Sequence, residues 1–224
     1  MSNAARLASL YPFLAGTRQD AETLDATLLT SIGAKARDGR DTSERFFAEE
    51  GPKLLAAART LADMYENGGR LYTMGNGGSS CDAAHVAVEF LHPVTAGRPA
   101  LPAVNLTADT AMLSAIGNDL GFEHAFVRPL LAQARKGDAV IGISTSGSAA
   151  NVLAAFDTAR NIGMATIALT GGDGGKMRVS ASVDHCLTVP SDSIHRIQEC
   201  HVAAYHILWD LVHTLLADRR GSAA

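Results

Sequence analysis

The fold of this chain is decided by the stretch at residues 138–160, which reads DAVIGISTSGSAANVLAAFDTAR. Its short apolar run predicts a buried strand. A loop of hydroxyl-bearing and small residues follows at 144–148, and the pattern at 151–160 then predicts a helix. A strand, a polar loop and a helix in that order are typical of a parallel α/β sheet.

The same order of features recurs along the chain. Short apolar runs alternate with helix-like stretches, and they lie at 70–74, 102–106, 138–143, 164–169 and 183–189. This alternation predicts an α/β fold of parallel strands joined by crossover helices. Three of the runs lead into loops rich in Gly, Ser or Thr, at 75–80, 144–148 and 170–175. Because ligands bind beyond the carboxyl ends of parallel strands, we expect these loops on the ligand side.

Helical segments flank the predicted sheet at both ends of the chain. We predict a helical extension over 1–41, with apolar residues at helical spacing and a polar break at 37–41, and one main domain over 42–220. The docking side chains of the extension would be Leu24, Leu28, Leu29 and Ile32. An amphipathic helix is predicted from 42 to 67, where two glycines follow. The last helix, about 194–217, is apolar nearly all round and is expected to be buried.

Composition limits the class of protein. The 224 residues carry a formal net charge of only -4 with 47% hydrophobic residues, which gives no electrostatic reason to bind nucleic acid. The three cysteines are widely spaced, which indicates neither a disulfide framework nor a zinc ribbon. An apolar stretch at 6–16 is interrupted by Pro12 and is too short for a signal peptide or a membrane span. We expect a cytoplasmic protein that binds neither nucleic acid nor membrane.

Two of the loops could hold a phosphate group. Backbone N–H groups at a helix N-terminus bind anions, and small residues allow neighbouring hydroxyls to approach. The candidate hydroxyls belong to Ser79, Ser80, Ser144, Thr145, Ser146 and Ser148. The alternative is that these residues only cap helices and form turns, which is their commonest use. The chain contains no P-loop and no dinucleotide fingerprint, and the loop at 171–175 is predicted to be a turn.

Two pairs of polar residues could share another ligand. His85 and Glu89 are four residues apart and so lie on one helix face, while Gln198 and His206 are eight residues apart on the last helix. Together they offer two imidazoles, a carboxylate and an amide oxygen, which suits zinc or another divalent metal. The alternative is that His85 and Glu89 form an ordinary solvated surface pair. We interpret His201 as a structural residue.

Several motifs, in order, resemble those of the sugar isomerase (SIS) domain family and within it the phosphoheptose isomerases. The resemblance runs from about residue 54 to 216. It rests on MGNGGS at 74–79, His85 with Glu89, GND at 117–119, GISTSG at 142–147, LTGGDGGKM at 169–177 and RIQE at 196–199. It implies a doubly wound, five-stranded parallel sheet flanked by helices. It further implies a homotetramer with active sites at the subunit interfaces.

The resemblance also implies an activity and a set of site residues. The reaction would convert sedoheptulose 7-phosphate to D-glycero-D-manno-heptose 7-phosphate through an enediol, with Glu89 as the base and His206 as the acid. One zinc ion per site would be held by His85, Glu89, Gln198 and His206. We assign substrate binding to Asn76, Gly77, Gly78, Ser79, Asp119, Ser144, Thr145, Ser146, Ser148 and Gln198.

The chain departs from the family pattern in four places. Ala149 replaces a phosphate-binding serine, Pro93 replaces an arginine, and His195 stands where an aspartate or small residue is familiar. The N-terminal extension is also longer than usual. An isomerase of a different sugar phosphate therefore stays open as an alternative. So does a non-catalytic relative that binds the replication initiator protein, although that branch lacks the acid–base residues. A phosphosugar-sensing regulator would need a DNA-binding segment, and no basic one is evident.

Overall fold

The computed structural model describes residues 20–221, with the side chains of 220 and 221 left aside. The apolar stretch at 6–16 and the first part of the predicted extension lie outside these residues. The elements in chain order are α1 (Ala21–Glu66), β1 (Leu71–Gly75), α2 (Gly78–Leu91), β2 (Ala103–Asn105), α3 (Thr110–Asp119), a 3-10 turn (Phe122–His124), α4 (Val127–Gln133), β3 (Ala139–Ser144), α5 (Ala150–Ile162), β4 (Ala165–Gly171), α6 (Gly175–Arg178), β5 (His185–Val189) and α7 (Ile194–Gly221). Within this described part, no helix is both long and apolar enough to cross a membrane.

The chain divides into two compact units, one ending at Arg40 and one beginning at Asp41. The assignment of two domains at 1–41 and 42–220 stays a prediction. In the first unit, Leu24, Leu28, Leu29 and Ile32 are helical and exposed. The predicted polar break at 37–41 is wrong, because α1 continues from Ala21 to Glu66. Charged residues do not stop a helix, and the glycine at 39 costs only about 1 kcal/mol relative to alanine.

All strand pairs in the five-stranded sheet are parallel, and the strand order is β2-β1-β3-β4-β5. The chain therefore leaves β1 toward one edge of the sheet and returns to β3 on its other side. Such a reversal opens a crevice beyond the carboxyl ends of β1 and β3. These ends are Gly75 and Ser144, where two of the predicted ligand loops begin.

Two hydrophobic layers cover the sheet, one on each face. Ile141 and Ile143 of β3 belong to the layer that includes residues of α1, α2 and α7. Val140 of the same strand belongs to the opposite layer, with residues of α4 and α5. Alternate side chains of a strand point to opposite faces, so a strand buried on both faces reads as the continuous apolar run seen in the sequence. The doubly wound α/β prediction is confirmed.

The last helix is buried on one side only in the single chain. Ala204, Leu208 and Val212 are fully buried, whereas Ile207 is 39% exposed. The prediction that all of this helix is buried is therefore wrong for the chain by itself. The buried side of α7 packs in the layer that contains α2, which brings the polar residues of the two helices near each other.

Candidate active site

A cavity of about 230 Å³ lies beyond the carboxyl ends of β1 and β3, where the strand order reverses. It is lined by Asn76, Ser79, Ile143, Ser144, Thr145, Ser146 and Ala149. The structure thus brings the two predicted hydroxyl loops together around one space. Ser79 and Ser144 are buried, and the hydroxyl oxygens of Ser144 and Ser146 are 3.4 Å apart.

The helices that start at this cavity have no side-chain caps. Gly77 stands at the N-terminus of α2 and Ala149 at that of α5, and neither position carries a side-chain cap hydrogen bond. By contrast, Asp109 caps α3 by accepting from the Met112 amide. The loop hydroxyls therefore do not serve as N-caps. The positive ends of both helix dipoles point toward the cavity without a side-chain oxygen to satisfy them.

Gly75 allows α2 to begin directly above the end of β1. A Cβ atom on Gly75 would lie 2.3 Å from the carbonyl oxygen of Ser79. The first turn of α2 could not approach the strand so closely if any side chain stood there. This contact places Ser79 in the cavity wall.

A pair of asparagines joins the two loops. Asn76 Nδ2 donates to Asn151 Oδ1 at 2.8 Å, and Asn151 Nδ2 donates to Asn76 Oδ1 at 2.9 Å. Asn151 is buried at the first turn of α5. The reciprocal amide bonds hold the loop after β1 to the helix after β3, so the Asn76 side chain serves first to join the loops.

The loop at 171–175 packs against the backbone of the hydroxyl loop. A Cβ atom on Gly147 would lie 2.0 Å from the Gly174 carbonyl oxygen. The Met177 amide donates to the Gly147 carbonyl at 2.9 Å, and the Lys176 amide donates to Ser148 Oγ at 3.2 Å. Ser148 lies outside the cavity wall, and its hydroxyl accepts this bond between the loops. A second cleft of about 500 Å³ shares Thr145 and Ser146 with the cavity and extends toward Ser191 and Asp192.

His85, Glu89 and His206 form a half-buried cluster between α2 and α7. One ligand atom from each of the three lies within 4.8 Å of the others. His85 Nε2 is 3.2 Å from Glu89 Oε1. Ligand atoms around a tetrahedral zinc ion with bonds of about 2.1 Å are about 3.4 Å apart, so the residues present fit a divalent metal with small adjustments.

The other predicted site residues lie in different places. Gln198 lies beside the start of α2, where a Cβ atom on Gly78 would be 2.1 Å from its Nε2 atom. Asp119 is exposed at the end of α3, and its Oδ1 atom accepts from Asn118 Nδ2 at 2.7 Å. It lines neither of the two cavities and is not part of the histidine–glutamate cluster.

Sequence reasoning missed three residues that support the site. Asn151 joins the loops, Tyr205 donates to or accepts from His85 Nδ1 at 2.8 Å, and Trp209 Nε1 donates to the Glu89 carbonyl at 2.9 Å. Tyr205 and Trp209 belong to the last helix, whose sequence is apolar nearly all round. Their one signal was a polar atom on an otherwise apolar helix next to His206, since a buried Tyr or Trp polar atom needs a partner.

His201 is a structural residue in this arrangement. It is fully buried, and its Nε2 atom bonds the Thr170 carbonyl at 3.0 Å, which attaches α7 to the end of β4. Burial lowers the pKa of His201 from its usual 6.5 to about 4, although the hydrogen bond to Thr170 opposes that change. The imidazole is therefore neutral at physiological pH.

Comparison with known proteins identifies the family to which this fold belongs. Residues 36–171 match the SIS domain family. The phosphoheptose isomerase of Desulfovibrio desulfuricans is 44% identical over 202 residues, which cover 90% of this chain and 95% of that protein. Two solved structures of phosphoheptose isomerases have the same fold. That from Francisella tularensis has 34% identity and a TM-score of 0.79, and the match covers 83% of this chain and 98% of that one. That from Neisseria gonorrhoeae has 36% identity and a TM-score of 0.78, and the match covers 84% of this chain and 99% of that one. The chain belongs to the SIS domain family, among the phosphoheptose isomerases.

Proposed function

We propose that this sugar-phosphate isomerase interconverts sedoheptulose 7-phosphate and D-glycero-D-manno-heptose 7-phosphate, with Glu89 as the base and His206 as the acid. One observation carries the proposal: His85 and Glu89 lie further along the same helix, α2, that begins at the serine-lined cavity, and His206 of α7 meets them there. The names of its relatives support the seven-carbon substrate.

The cluster has the groups that an aldose–ketose isomerisation needs. The reaction removes a proton from the carbon beside a carbonyl group and returns a proton to the neighbouring carbon, through an enediol. The Glu89 carboxylate can accept the first proton. His206 can donate a proton to the carbonyl oxygen as negative charge develops there. The two side chains project from different helices and meet in one place, so they can act on adjacent atoms of one substrate.

The cavity suits the phosphate group of such a substrate. Ser79, Ser144, Thr145 and Ser146 surround it with hydroxyl donors, and the uncapped N-termini of α2 and α5 favour negative charge. Within the described part of the chain, the residues that line the cavity include no arginine or lysine. Phosphate would therefore be held by hydroxyl and backbone donors. Ala149 offers no hydroxyl at the start of α5, so the family's usual additional serine contact is lost.

The proposed cofactor is zinc, one ion per site. His85, Glu89 and His206 would hold it, with Gln198 as the fourth ligand that the family resemblance implies. A bound divalent ion would supply Lewis-acid polarisation of the substrate carbonyl. The assembled acid–base pair also favours an enzyme over a non-catalytic relative that binds the replication initiator protein.

Substitution of Glu89 by Gln tests the proposal. The amide keeps the shape of the side chain but cannot accept a proton, so turnover of sedoheptulose 7-phosphate should fall by about 10²–10⁴. Phosphosugar binding, measured by calorimetry, should persist. Metal content is determined on the same samples, because the substitution also removes a ligand. Glu66→Gln is the control, since Glu66 pairs with Arg219 at the surface. A Glu89→Gln enzyme that keeps more than about a tenth of the turnover would refute the assignment.

We also propose that the protein is a homotetramer with sites at the subunit interfaces. Val88 and Leu91 of α2 and Ile207 of α7 are exposed in the single chain, on the two helices that carry the cluster. Association would remove this apolar surface from water at about 25 cal/mol per Å². Light scattering should give four times the monomer mass of 23.4 kDa. A monodisperse monomer at micromolar concentration would contradict the assembly.

A further inference from the structure

The imidazole of His85 is held at both of its nitrogen atoms. Nε2 is 3.2 Å from Glu89 Oε1, on the side of the cluster. Nδ1 is 2.8 Å from the hydroxyl of Tyr205, on the opposite side of the ring. A histidine ligand in a metal site usually has its second nitrogen bonded to an outer group, which fixes the orientation of the ring.

Tyr205 is placed to hold this ring rigidly. The residue is 1% exposed and precedes His206 on α7. Its ring packs edge-on against both imidazoles, with centroids 5.2 Å from His85 and 4.8 Å from His206. Asp82 and Glu89 are close enough to act on Tyr205 electrostatically. The phenol hydroxyl can both donate and accept a hydrogen bond.

Asp82 lies on the same side of α2 as His85, three residues earlier. Its side chain is 9% exposed, and its Oδ2 atom has no hydrogen-bond partner within residues 20–221. Burial raises the pKa of Asp82, while His85 opposes that change. A buried carboxylate oxygen without a donor costs free energy unless another state of the protein supplies one.

We propose that Tyr205 is a positioning residue, which holds His85 by Nδ1 so that Nε2 faces Glu89 and His206, and that Asp82 accepts a hydrogen bond from the Tyr205 hydroxyl in one of two states. This inference rests on the proposed function, because it concerns the ligand set of that site.

The two states differ in the tautomer of His85. When Nε2 carries the proton and donates it to Glu89, Nδ1 accepts from the Tyr205 hydroxyl. In the state that would bind a divalent ion, Nε2 carries no proton and Nδ1 carries it. Nδ1 then donates to the Tyr205 oxygen, and the Tyr205 hydroxyl donates to Asp82. The proton count of the imidazole is unchanged, and the proton exchanges through solvent because His85 is partly exposed. Both ring nitrogens of His85 and the Tyr205 hydroxyl thus keep a partner in both states.

The test compares Tyr205→Phe with Tyr65→Phe in the full chain. Tyr65 is also buried, at 8% exposure, but its hydroxyl has no hydrogen-bond partner in the described chain. Both variants lose one buried phenolic oxygen, and only Tyr205→Phe loses the bond to His85. Zinc affinity is measured by competition with a chromophoric chelator. We expect Tyr205→Phe to bind zinc about 10–100-fold more weakly than wild type and Tyr65→Phe to bind it within twofold of wild type.

A spectroscopic readout separates positioning from general packing. In metal-free protein labelled with ¹⁵N-histidine, the Nδ1 resonance of His85 should shift in Tyr205→Phe and stay in place in Tyr65→Phe. Asp82→Asn should weaken zinc binding alone but add little to Tyr205→Phe, because the two residues act in one chain. Thermal unfolding of each variant reports whether the fold is retained.

Three outcomes are informative. Unchanged zinc affinity together with an unmoved His85 Nδ1 resonance in Tyr205→Phe would overturn the inference, as would an equal loss of zinc affinity in Tyr65→Phe. If the wild-type protein binds no zinc and turns over no sugar phosphate, the proposed function fails. In that case the Nδ1 resonance of the metal-free protein still decides whether Tyr205 holds His85.

Discussion

The stability of this protein should depend on pH through the buried histidine His201. In the folded chain, burial lowers the pKa of His201 to about 4, against a usual value of 6.5. Between these two values the unfolded chain binds a proton at this residue and the folded chain does not. The free energy of unfolding therefore falls as pH falls through this window. The contribution of His201 is fully present above about pH 6.5 and is lost by about pH 4.

The magnitude follows from the size of the pKa difference. One pKa unit corresponds to about 1.4 kcal/mol, so crossing the full window changes the free energy of unfolding by about 3 kcal/mol. At pH 5 about 1.5 units of the difference have been crossed, which corresponds to a loss of about 2 kcal/mol relative to pH 7.5. That is a large share of the 5–15 kcal/mol that is typical of a folded protein.

Urea unfolding of wild type and His201→Gln at pH 7.5 and pH 5, at one protein concentration, measures this contribution. The glutamine can still donate to the Thr170 carbonyl but does not titrate. We expect the variant to be less stable at pH 7.5 and to lose about 2 kcal/mol less than wild type on going to pH 5. Carboxylates elsewhere titrate equally in both proteins and cancel in the comparison. Identical losses in the two proteins would refute the reasoning.

Two further substitutions test the cavity and its supporting loop. Replacing Ser144 and Ser146 together by Ala should weaken phosphosugar binding by about 2–4 kcal/mol with little loss of stability. The reason is that each hydroxyl hydrogen bond to a charged ligand contributes about 1–2 kcal/mol. Unchanged affinity by calorimetry would contradict this role. Gly147→Ala should destabilise the fold and weaken binding, because its Cβ would lie 2.0 Å from the Gly174 carbonyl oxygen at a φ of +59°. Gly68→Ala, with φ +76° and open space around it, is the control for backbone strain alone, and equal losses in the two variants would show that the loop contact is unimportant.

The three central strands, β1, β3 and β4, were predictable because they are buried on both faces. A run such as that of β3 has no polar residue to interrupt it, and the loop after it contains residues that favour turns. The end of α1 was also predictable, because Gly68 adopts a positive φ that other residues avoid. The false break at 37–41 came from treating charged residues as a stop signal. Their cost within a helix is small, and the apolar pattern on both sides of them favours continuation.

The site divides into residues with a local signal and residues without one. His85 and Glu89 share a helix face, so their contact follows from a spacing of four residues. Asn76 and Asn151 are 75 positions apart, and His85 and Tyr205 are 120 positions apart. No pattern within one element indicates such pairs, because the order of the strands and the packing of α7 on α2 bring them together.

Helix α2 sets the relation between the two halves of the site. Its first turn supplies Ser79 to the cavity, and its next turns carry His85 and Glu89 to the cluster. The distance from the cavity to His85 and Glu89 is therefore a property of one helix, which rises about 1.5 Å per residue. The position of that helix depends in turn on Gly75, where a side chain would displace Ser79 from the strand end. A change at the start of α2 should consequently alter the cavity and the cluster together, whereas a change at His206 of α7 should alter the cluster alone.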